Sequence, residues 1–167
     1  MSHVIEHDLG PLTWVKGEID QALDRAMAAI DKAAADEERG TQLQFAQSHL
    51  HQARGALSII GLDGLTQFTD SVDKLLGELA RDELAFSDDI ADLCRRAIAA
   101  IGNYLDELSH GAPDQALRLS RLHARIALAR GVEAPSESDL FFPDLSAVIP
   151  RRPAPQPLDA ASETRLL

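Results

Sequence analysis

The sequence predicts an all-α protein: an antiparallel up-down bundle of four helices, with one additional helix and a proline-rich C-terminal tail. Apolar residues recur at intervals of three and four in five successive segments, which is the spacing of one buried helical face. Aromatic residues make up only 4% of the chain, and strand-forming residues are scarce beside alanine and leucine. Because the connections between these long amphipathic segments are short, antiparallel neighbours are favoured.

The first two predicted helices are separated by a short polar break at residues 36–40. The first helix is predicted to begin near Pro11, a favoured first-turn residue, and to end near Ala35. Thr41 is predicted to cap the second helix, because its hydroxyl can accept a hydrogen bond from an unpaired amide of the first turn. The apolar faces are Val15, Ile19, Leu23, Ala26 and Ile30 in the first helix, and Leu43, Ala46, Leu50, Ala53, Leu57 and Ile60 in the second.

A tight corner at residues 61–64 leads into the third helix, and a serine followed by two acids marks the start of the fourth. Ser87 is predicted to cap the fourth helix, where Asp88 and Asp89 suit the helix dipole. Asp114 is predicted to cap a fifth helix, which is basic. The apolar faces are Leu65, Phe68, Val72, Leu75 and Leu79 in the third helix, Ile90, Cys94, Ile98, Ile101, Leu105 and Leu108 in the fourth, and Leu119, Leu122 and Ile126 in the fifth.

Helical periodicity stops near Val132, so residues 1–131 are assigned to the bundle and residues 132–167 to a linker or tail. Six of the eight prolines lie in this tail, a density that no packed helix tolerates. An apolar island at residues 140–145 has two interpretations. It either folds back over a groove of the bundle, through Phe141 and Phe142, or serves as a short docking motif. Apart from such docking, the tail is expected to lack regular structure.

The charge of the chain argues against several classes of partner. A formal net charge of -11 and a pI of about 4.8 would repel phosphate backbones and anionic membranes, so neither nucleic acid nor membrane is expected as a partner. No apolar run approaches the ~20 residues of a membrane span, and the first residues lack the features of a secretory signal. A cytoplasmic chain is expected, alone or as part of a longer protein. Arginines of the fifth helix are expected to pair with acids on neighbouring helices or to meet an acidic protein partner: Arg118, Arg121 and Arg125.

The usual motifs for cofactors and metals are missing from the sequence. Neither a GxxxxGK[ST] nor a GxGxxG string occurs, and there is no GxSxG elbow. His49 and His51 would lie roughly 200° apart around a helix, so they cannot share one metal ion. His3 and His7 precede the first predicted helix, and Cys94 is a lone cysteine with an apolar setting. The sequence therefore predicts no cofactor and no metal site.

One group of residues on the second helix does carry chemistry. Arg54 would lie roughly 60° to one side of His51 and Gly55 roughly 40° to the other, each about one turn along the helix. An imidazole, a fixed cation and a position without a side chain would thus share one patch, beside the buried Leu50. This combination suits phosphoryl transfer through histidine, which needs a nucleophilic nitrogen, a charge-neutralising cation and an open approach. The alternatives are a surface histidine without a role, a solvated arginine, and a glycine that allows close helix packing.

The string of residues 51–57, HQARGAL, with Gly61 at the end of the helix, resembles the histidine-phosphotransfer (HPt) motif His-x-x-Lys-Gly-Ser/Ala. In that family the motif lies on the second helix of a four-helix bundle. The strings at residues 9–15, 50–53 and 140–145 are further similar to the N-terminal segment of CheA-like hybrid histidine kinases. Those kinases belong to the chemosensory systems that govern type IV pili and twitching motility. The resemblance covers roughly residues 9–146.

The resemblance implies a role in a two-component phosphorelay. His51 would accept the phosphoryl group, Arg54 would stand in the position of the lysine, and Gly55 in that of the glycine. The partners would be the receiver domain of a response regulator and the catalytic domain of a histidine kinase, the latter in cis in a longer protein. The chain would have no ATP site of its own. The alternative is a non-catalytic docking module that binds a receiver or a polar scaffold protein.

The third helix offers two acids that could orient His51. Folding the chain back at residues 61–62 places the neighbourhood of Val72 opposite His51, so Asp70 or Asp73 is predicted to hydrogen-bond its second ring nitrogen. The alternative is that both acids are solvated. An exposed His51 would favour phosphotransfer, whereas a buried His51 would favour the docking module.

Overall fold

The protein is an all-α bundle, as predicted. The computed structural model describes residues 10–141, and residues 1–9 and 142–167 lie outside the described part. The elements are α1 (Gly10–Ala34), α2 (Arg39–Ile59), α3 (Asp63–Ala80), α4 (Asp88–Ser109) and α5 (Ser120–Arg130), with 3-10 turns at Ala116–Leu119 and Glu137–Leu140. No strand occurs among residues 10–141. None of the helices in this range is both long and apolar enough to cross a membrane.

The apolar faces predicted from periodicity meet in one core. α1 packs against α2 and α4, while α3 packs against α2, α4 and α5. On the predicted face of α2 only Ile60 is partly exposed, and the other residues are buried. Cys94 is buried, and this burial raises the pKa of its thiol to about 12. The largest fully buried side chains come from all four long helices: Ile19, Ile30, Leu43, Leu50, Leu57, Leu65, Phe68, Leu75, Leu76, Ile98, Ile101 and Leu105.

The predicted cap of the second helix is wrong. α2 begins at Arg39, before Thr41, and follows Glu38, whose backbone is left-handed with a φ of 44°. The Nε of Arg39 donates a hydrogen bond to the carbonyl of Ala33 at 3.0 Å, and its guanidinium lies 4.6 Å from the ring centre of Phe86. These contacts with other elements hold Arg39 in place, so the helix starts there without a side-chain cap.

Of the two remaining predicted caps, one is confirmed and one is wrong. The Oγ of Ser87 accepts a hydrogen bond from the amide of Ile90 at 3.2 Å and caps α4 as predicted. Asp114 caps no helix, because its carboxylate accepts a hydrogen bond from the hydroxyl of Tyr104 instead. The chain then forms a 3-10 turn, and α5 begins only after that turn.

The corner between α2 and α3 sets the geometry of the candidate site. Gly61 has a φ of 78°, a left-handed conformation that residues with a Cβ rarely adopt. The amide of Leu62 bonds to the carbonyl of Leu57 at 3.3 Å, and that of Gly61 bonds to the carbonyl of Ser58 at 3.2 Å. This closing pattern ends α2 abruptly and returns the chain alongside it. The second half of α2 therefore lies beside the middle of α3.

The chain remains against the bundle after α5. The 3-10 turn at Glu137–Leu140 interrupts a segment that was expected to be irregular, and Ser136 and Asp139 cap it reciprocally. Leu140 is only 2% exposed, whereas its neighbour Phe141 is exposed. Leu140 is thus the described residue of the apolar island that folds back onto the bundle. Phe142 and the rest of the island, like the tail that follows, lie outside the described residues.

Candidate functional site

His51 stands on the surface of α2, and only one of its ring nitrogens is engaged. Its Nδ1 lies 3.0 Å from Oδ2 of Asp73 on α3. The side chain of His51 is 63% exposed, while that of Asp73 is 9% exposed. Because an ionised carboxylate can only accept a hydrogen bond, the proton of the neutral ring resides on Nδ1. In that tautomer the lone pair is on Nε2, the ring nitrogen that Asp73 does not contact.

The structure distinguishes the two acids that the sequence offered as partners of His51. Asp73 bonds to His51, whereas Asp70 accepts hydrogen bonds from Arg54 at 2.6 Å and pairs with Lys74 at 2.8 Å. Burial by itself would raise the pKa of Asp70, but the hydrogen bond and charge of Lys74, together with Arg54, hold that pKa below its usual value. The alternative interpretation, two solvated acids, does not describe either residue.

Arg54 is tied into this cluster and is not a solvated charge. Beyond its bond to Asp70, its Nε lies 3.8 Å from Oδ2 of Asp73, an ion pair without a hydrogen bond. Within the described part of the chain, Nε of Arg54 and Oδ1 of Asp73 are buried and have no hydrogen-bond partner. A buried polar atom without a partner costs about 1–3 kcal/mol. These two atoms therefore reduce the stability that the ion pairs of the cluster provide.

Gly55 leaves open space next to the imidazole. A Cβ placed at Gly55 would meet no atom of the surrounding protein within 4 Å. The interpretation that this glycine allows close helix packing is therefore wrong. A glycine in the middle of a helix costs about 1 kcal/mol relative to alanine. No neighbour in the described part of the fold requires a glycine at this position.

The surface of α2 around His51 is unusually free of charge for so acidic a chain. Arg54 is the only Asp, Glu, Lys or Arg in residues 40–60. Two exposed apolar side chains lie on the same helix, Phe45 before His51 and Ile59 after it. Another protein can cover an uncharged surface with exposed apolar groups without burying unpaired charges.

One buried polar pair was missed by the sequence analysis. Nε2 of His123 on α5 lies 2.6 Å from Oγ of Ser71 on α3, and its ring meets that of Phe68 edge-on at 6.0 Å between centres. Burial lowers the pKa of His123 below its usual value. The pair joins α5 to the core and lies apart from His51. The spacing of Leu119, His123 and Ile126 by four and three residues is a signal that could have placed this histidine on the buried face.

No family model, curated protein or solved structure matches the chain. Among residues 10–141, no group of three histidine, cysteine or acidic side chains is arranged to hold a metal ion. His3 and His7 lie outside the described residues. The site brings together all the residues singled out on α2 and α3: His51, Arg54, Gly55, Asp70 and Asp73. Its chemistry is that of one oriented, exposed imidazole with a carboxylate behind it and cations beside it.

Proposed function

We propose that this chain is a histidine-phosphotransfer module in which Nε2 of His51 carries the phosphoryl group. The observation that supports this most directly is the hydrogen bond from Nδ1 of the exposed His51 to the buried carboxylate of Asp73. A surface histidine without a role needs no buried acid to fix its tautomer. A phosphoryl acceptor does, because only the unprotonated nitrogen can attack phosphorus.

The transfer step follows from this arrangement. The lone pair of Nε2 attacks phosphorus, a nitrogen–phosphorus bond forms, and the bond from phosphorus to the donor oxygen breaks. The electron pair of that bond leaves with the donor oxygen, which belongs to the aspartate of a receiver domain or to the ADP that remains when a kinase domain supplies ATP. Nδ1 of His51 keeps its proton throughout. The ring gains positive charge as the new bond forms, and the carboxylate of Asp73 stabilises that charge.

The cations beside His51 offset the charge of the incoming group. A phosphoryl group brings about two negative charges. Arg54 and Lys74 balance the charges of Asp70 and Asp73, so the cluster adds no net negative charge beside His51. Arginine keeps the charge of the lysine in the motif, while its planar fork allows it to hold Asp70 and still face a phosphate. Arg54 and Lys74 therefore assist the transfer without bonding to the phosphorus.

The exposure of His51 favours phosphotransfer over the non-catalytic docking module. A module that only docks could bury this ring under a neighbouring side chain, yet 63% of it is exposed. Gly55 leaves the approach to the ring open. A receiver could contact the uncharged surface around Phe45 and Ile59 while its aspartate reaches Nε2 of His51.

Phosphoryl labelling of single variants tests the proposal. Purified chain is incubated with radiolabelled phospho-forms of the receivers and histidine kinases of the same organism, and acid-labile phosphate is mapped. We expect His51→Gln to abolish labelling, while His49→Gln, the matched change two residues earlier on α2, labels like the wild type. Asp73→Asn should slow labelling by about 10- to 100-fold, a typical effect of losing the partner that orients a histidine.

The outcomes separate the two candidate functions. Labelling that persists in His51→Gln would show that another residue is phosphorylated. A wild-type chain that no receiver or kinase labels, but that binds a receiver, would be a docking module. Circular dichroism of His51→Gln must match the wild type, because a surface substitution typically changes stability by no more than about 0.5 kcal/mol. Asp73→Asn changes a buried acid, so thermal unfolding must show that this variant is folded under the labelling conditions.

A further inference from the structure

The region around α5 has a charge balance opposite to that of the rest of the chain. Residues 116–130 contain four arginines and no acid, although the whole chain has a net charge of -11. Arg118 pairs with Glu107 at 2.6 Å, as predicted, and Arg130, for which no partner was predicted, pairs with Glu78 at 2.8 Å. The other two arginines, at positions 121 and 125, are exposed and form no ion pair within residues 10–141.

Two exposed apolar residues follow these two arginines in the chain. Arg121, Arg125 and Leu128 follow one another at intervals of four and three, which places them along one side of the helix, and Val132 follows directly after the helix end at Gly131. Leu128 is 80% exposed and Val132 is 44% exposed. We call these four residues the α5 face. An exposed leucine beside unpaired cations on a short helix is the pattern of a surface that another protein covers.

The α5 face is held firmly by the core beneath it. On the opposite side of the helix, His123, Ile126 and Ala127 are buried. Gly131 ends the helix with a φ of 69°, and the amide of Val132 bonds back to the carbonyl of Ala127 at 3.1 Å. The last apolar residue of the face is thus fixed to the final turn. A partner would meet a preformed surface and would not have to order it.

We propose that the α5 face binds an acidic amphipathic helix of a partner protein. Arg121 and Arg125 stand one turn apart, so they match two carboxylates one turn apart on a facing helix, and guanidinium groups bind carboxylates in a bidentate manner. Leu128 and Val132 would then cover an apolar residue of the same partner. From Arg121 to Leu128 the helical part of the face extends over roughly 10 Å, which corresponds to about two helical turns of the partner.

The shape and charge of the molecule favour a helix over broader acidic partners. A membrane or a nucleic-acid duplex would bring an extended anionic surface against one whole side of a chain with a net charge of -11. A second copy of the chain carries the same charge and would be repelled in the same way. A single helix covers little more than the α5 face, where Glu137 lies near Arg121. Moreover, α5 packs against α3 and α4, whereas His51 lies on α2, so this site does not depend on the proposed phosphotransfer.

A designed peptide provides a defined probe. It is a fluorescein-labelled, alanine-based helix with glutamates at positions i and i+4 and leucines at i+7 and i+11, and the control peptide has glutamines in place of the glutamates. Binding to the full chain is measured by fluorescence anisotropy at two salt concentrations. We expect the acidic peptide to bind, the control peptide to bind at least about tenfold more weakly, and binding to weaken as salt increases.

Variants of the chain locate the binding site. The double variant Arg121→Glu/Arg125→Glu should weaken binding by at least about tenfold, because two attractions become repulsions. Leu128→Ser should weaken it several-fold. The matched control is Arg25→Glu/Lys32→Glu, which reverses two exposed cations of α1 that likewise form no ion pair among the described residues. This control should bind the peptide as the wild type does.

Four results would overturn the proposal. The first is that the acidic peptide does not bind the wild type, and the second is that the α1 control loses as much affinity as the α5 variant. In the third, vesicles rich in phosphatidylglycerol bind the α5 face and the peptide does not. In the fourth, the wild type self-associates in sedimentation and Leu128→Ser abolishes that association while peptide binding is unchanged.

Discussion

Replacing Gly55 with leucine should stabilise the protein and stop phosphoryl transfer at the same time. A side chain at this position points into open space, since a Cβ there meets no surrounding atom within 4 Å. The change therefore causes no clash in the bundle and removes the cost of a mid-helix glycine. That cost is about 1 kcal/mol, and leucine recovers most of it. For a domain of this size the melting temperature should rise by about 3 °C.

The same leucine would project from α2 one turn after His51, where the proposed function has a receiver approach. We expect the rate of labelling to fall by about tenfold or more, because small misplacements of reacting groups are costly in rate. Thermal unfolding followed by circular dichroism and labelling by a phospho-receiver give the two readouts. Gly17→Leu is the matched control, because Gly17 is also an exposed helical glycine with nothing within 4 Å. It should gain similar stability and keep normal labelling.

Two results would refute this reasoning about Gly55. A fall in stability on Gly55→Leu would mean that the space beside the helix is not open in solution. A stable Gly55→Leu variant that is labelled as fast as the wild type would mean that no partner approaches over this position. Equal loss of labelling in Gly17→Leu would trace the effect to helix stability and not to access.

Two further predictions concern the core and its buried histidine. Leu57→Ala should reduce the free energy of unfolding by about 2–5 kcal/mol in chemical denaturation. Ile59→Ala, at an exposed site two residues further along, should change it by less than about 0.5 kcal/mol. Similar losses at both sites would contradict the core assignment. Burial lowers the pKa of His123, the charge of Asp139 raises it, and the charge of Arg130 lowers it further. The net pKa is below the usual value, so the neutral ring is favoured in the folded state. Its stabilising contribution should be complete above the unfolded pKa of about 6.5 and decline as the pH falls through the lower folded pKa. His123→Gln should flatten this decline between pH 7.5 and 5.5, and an unchanged decline would show that other groups cause it.

Side-chain caps were predicted correctly only where both partners of the cap are local in the sequence. Ser87 caps α4 through a hydrogen bond to an amide three residues along, so the sequence contains both partners. The start of α2 depends on contacts of Arg39 with Ala33 and Phe86, which lie in other elements. A sequence pattern that contained Thr41 could not reveal those contacts. Propensity sets where a helix can start, and packing decides where it does.

The geometry of the candidate site was likewise predictable only in part. Its residues on α2 follow from helical spacing, because His51, Arg54 and Gly55 are at most one turn apart. The choice between Asp70 and Asp73 does not, since both lie on the same stretch of α3 opposite His51. The rotation of α3 about its axis, set by the packing of its apolar face, turns Asp73 toward the imidazole and leaves Asp70 to Arg54.

The sequence by itself determined the fold class, the buried face of each long helix and the patch that carries His51. Those properties depend on residues three or four positions apart, whose relation is fixed once a helix forms. Only the tertiary structure decided which acid orients the imidazole, that Gly55 faces open space, that His123 is buried against Ser71, and that Leu140 anchors the chain after α5. Each of these depends on how two separate elements are rotated and placed against each other, and that geometry results from the packing of the whole core.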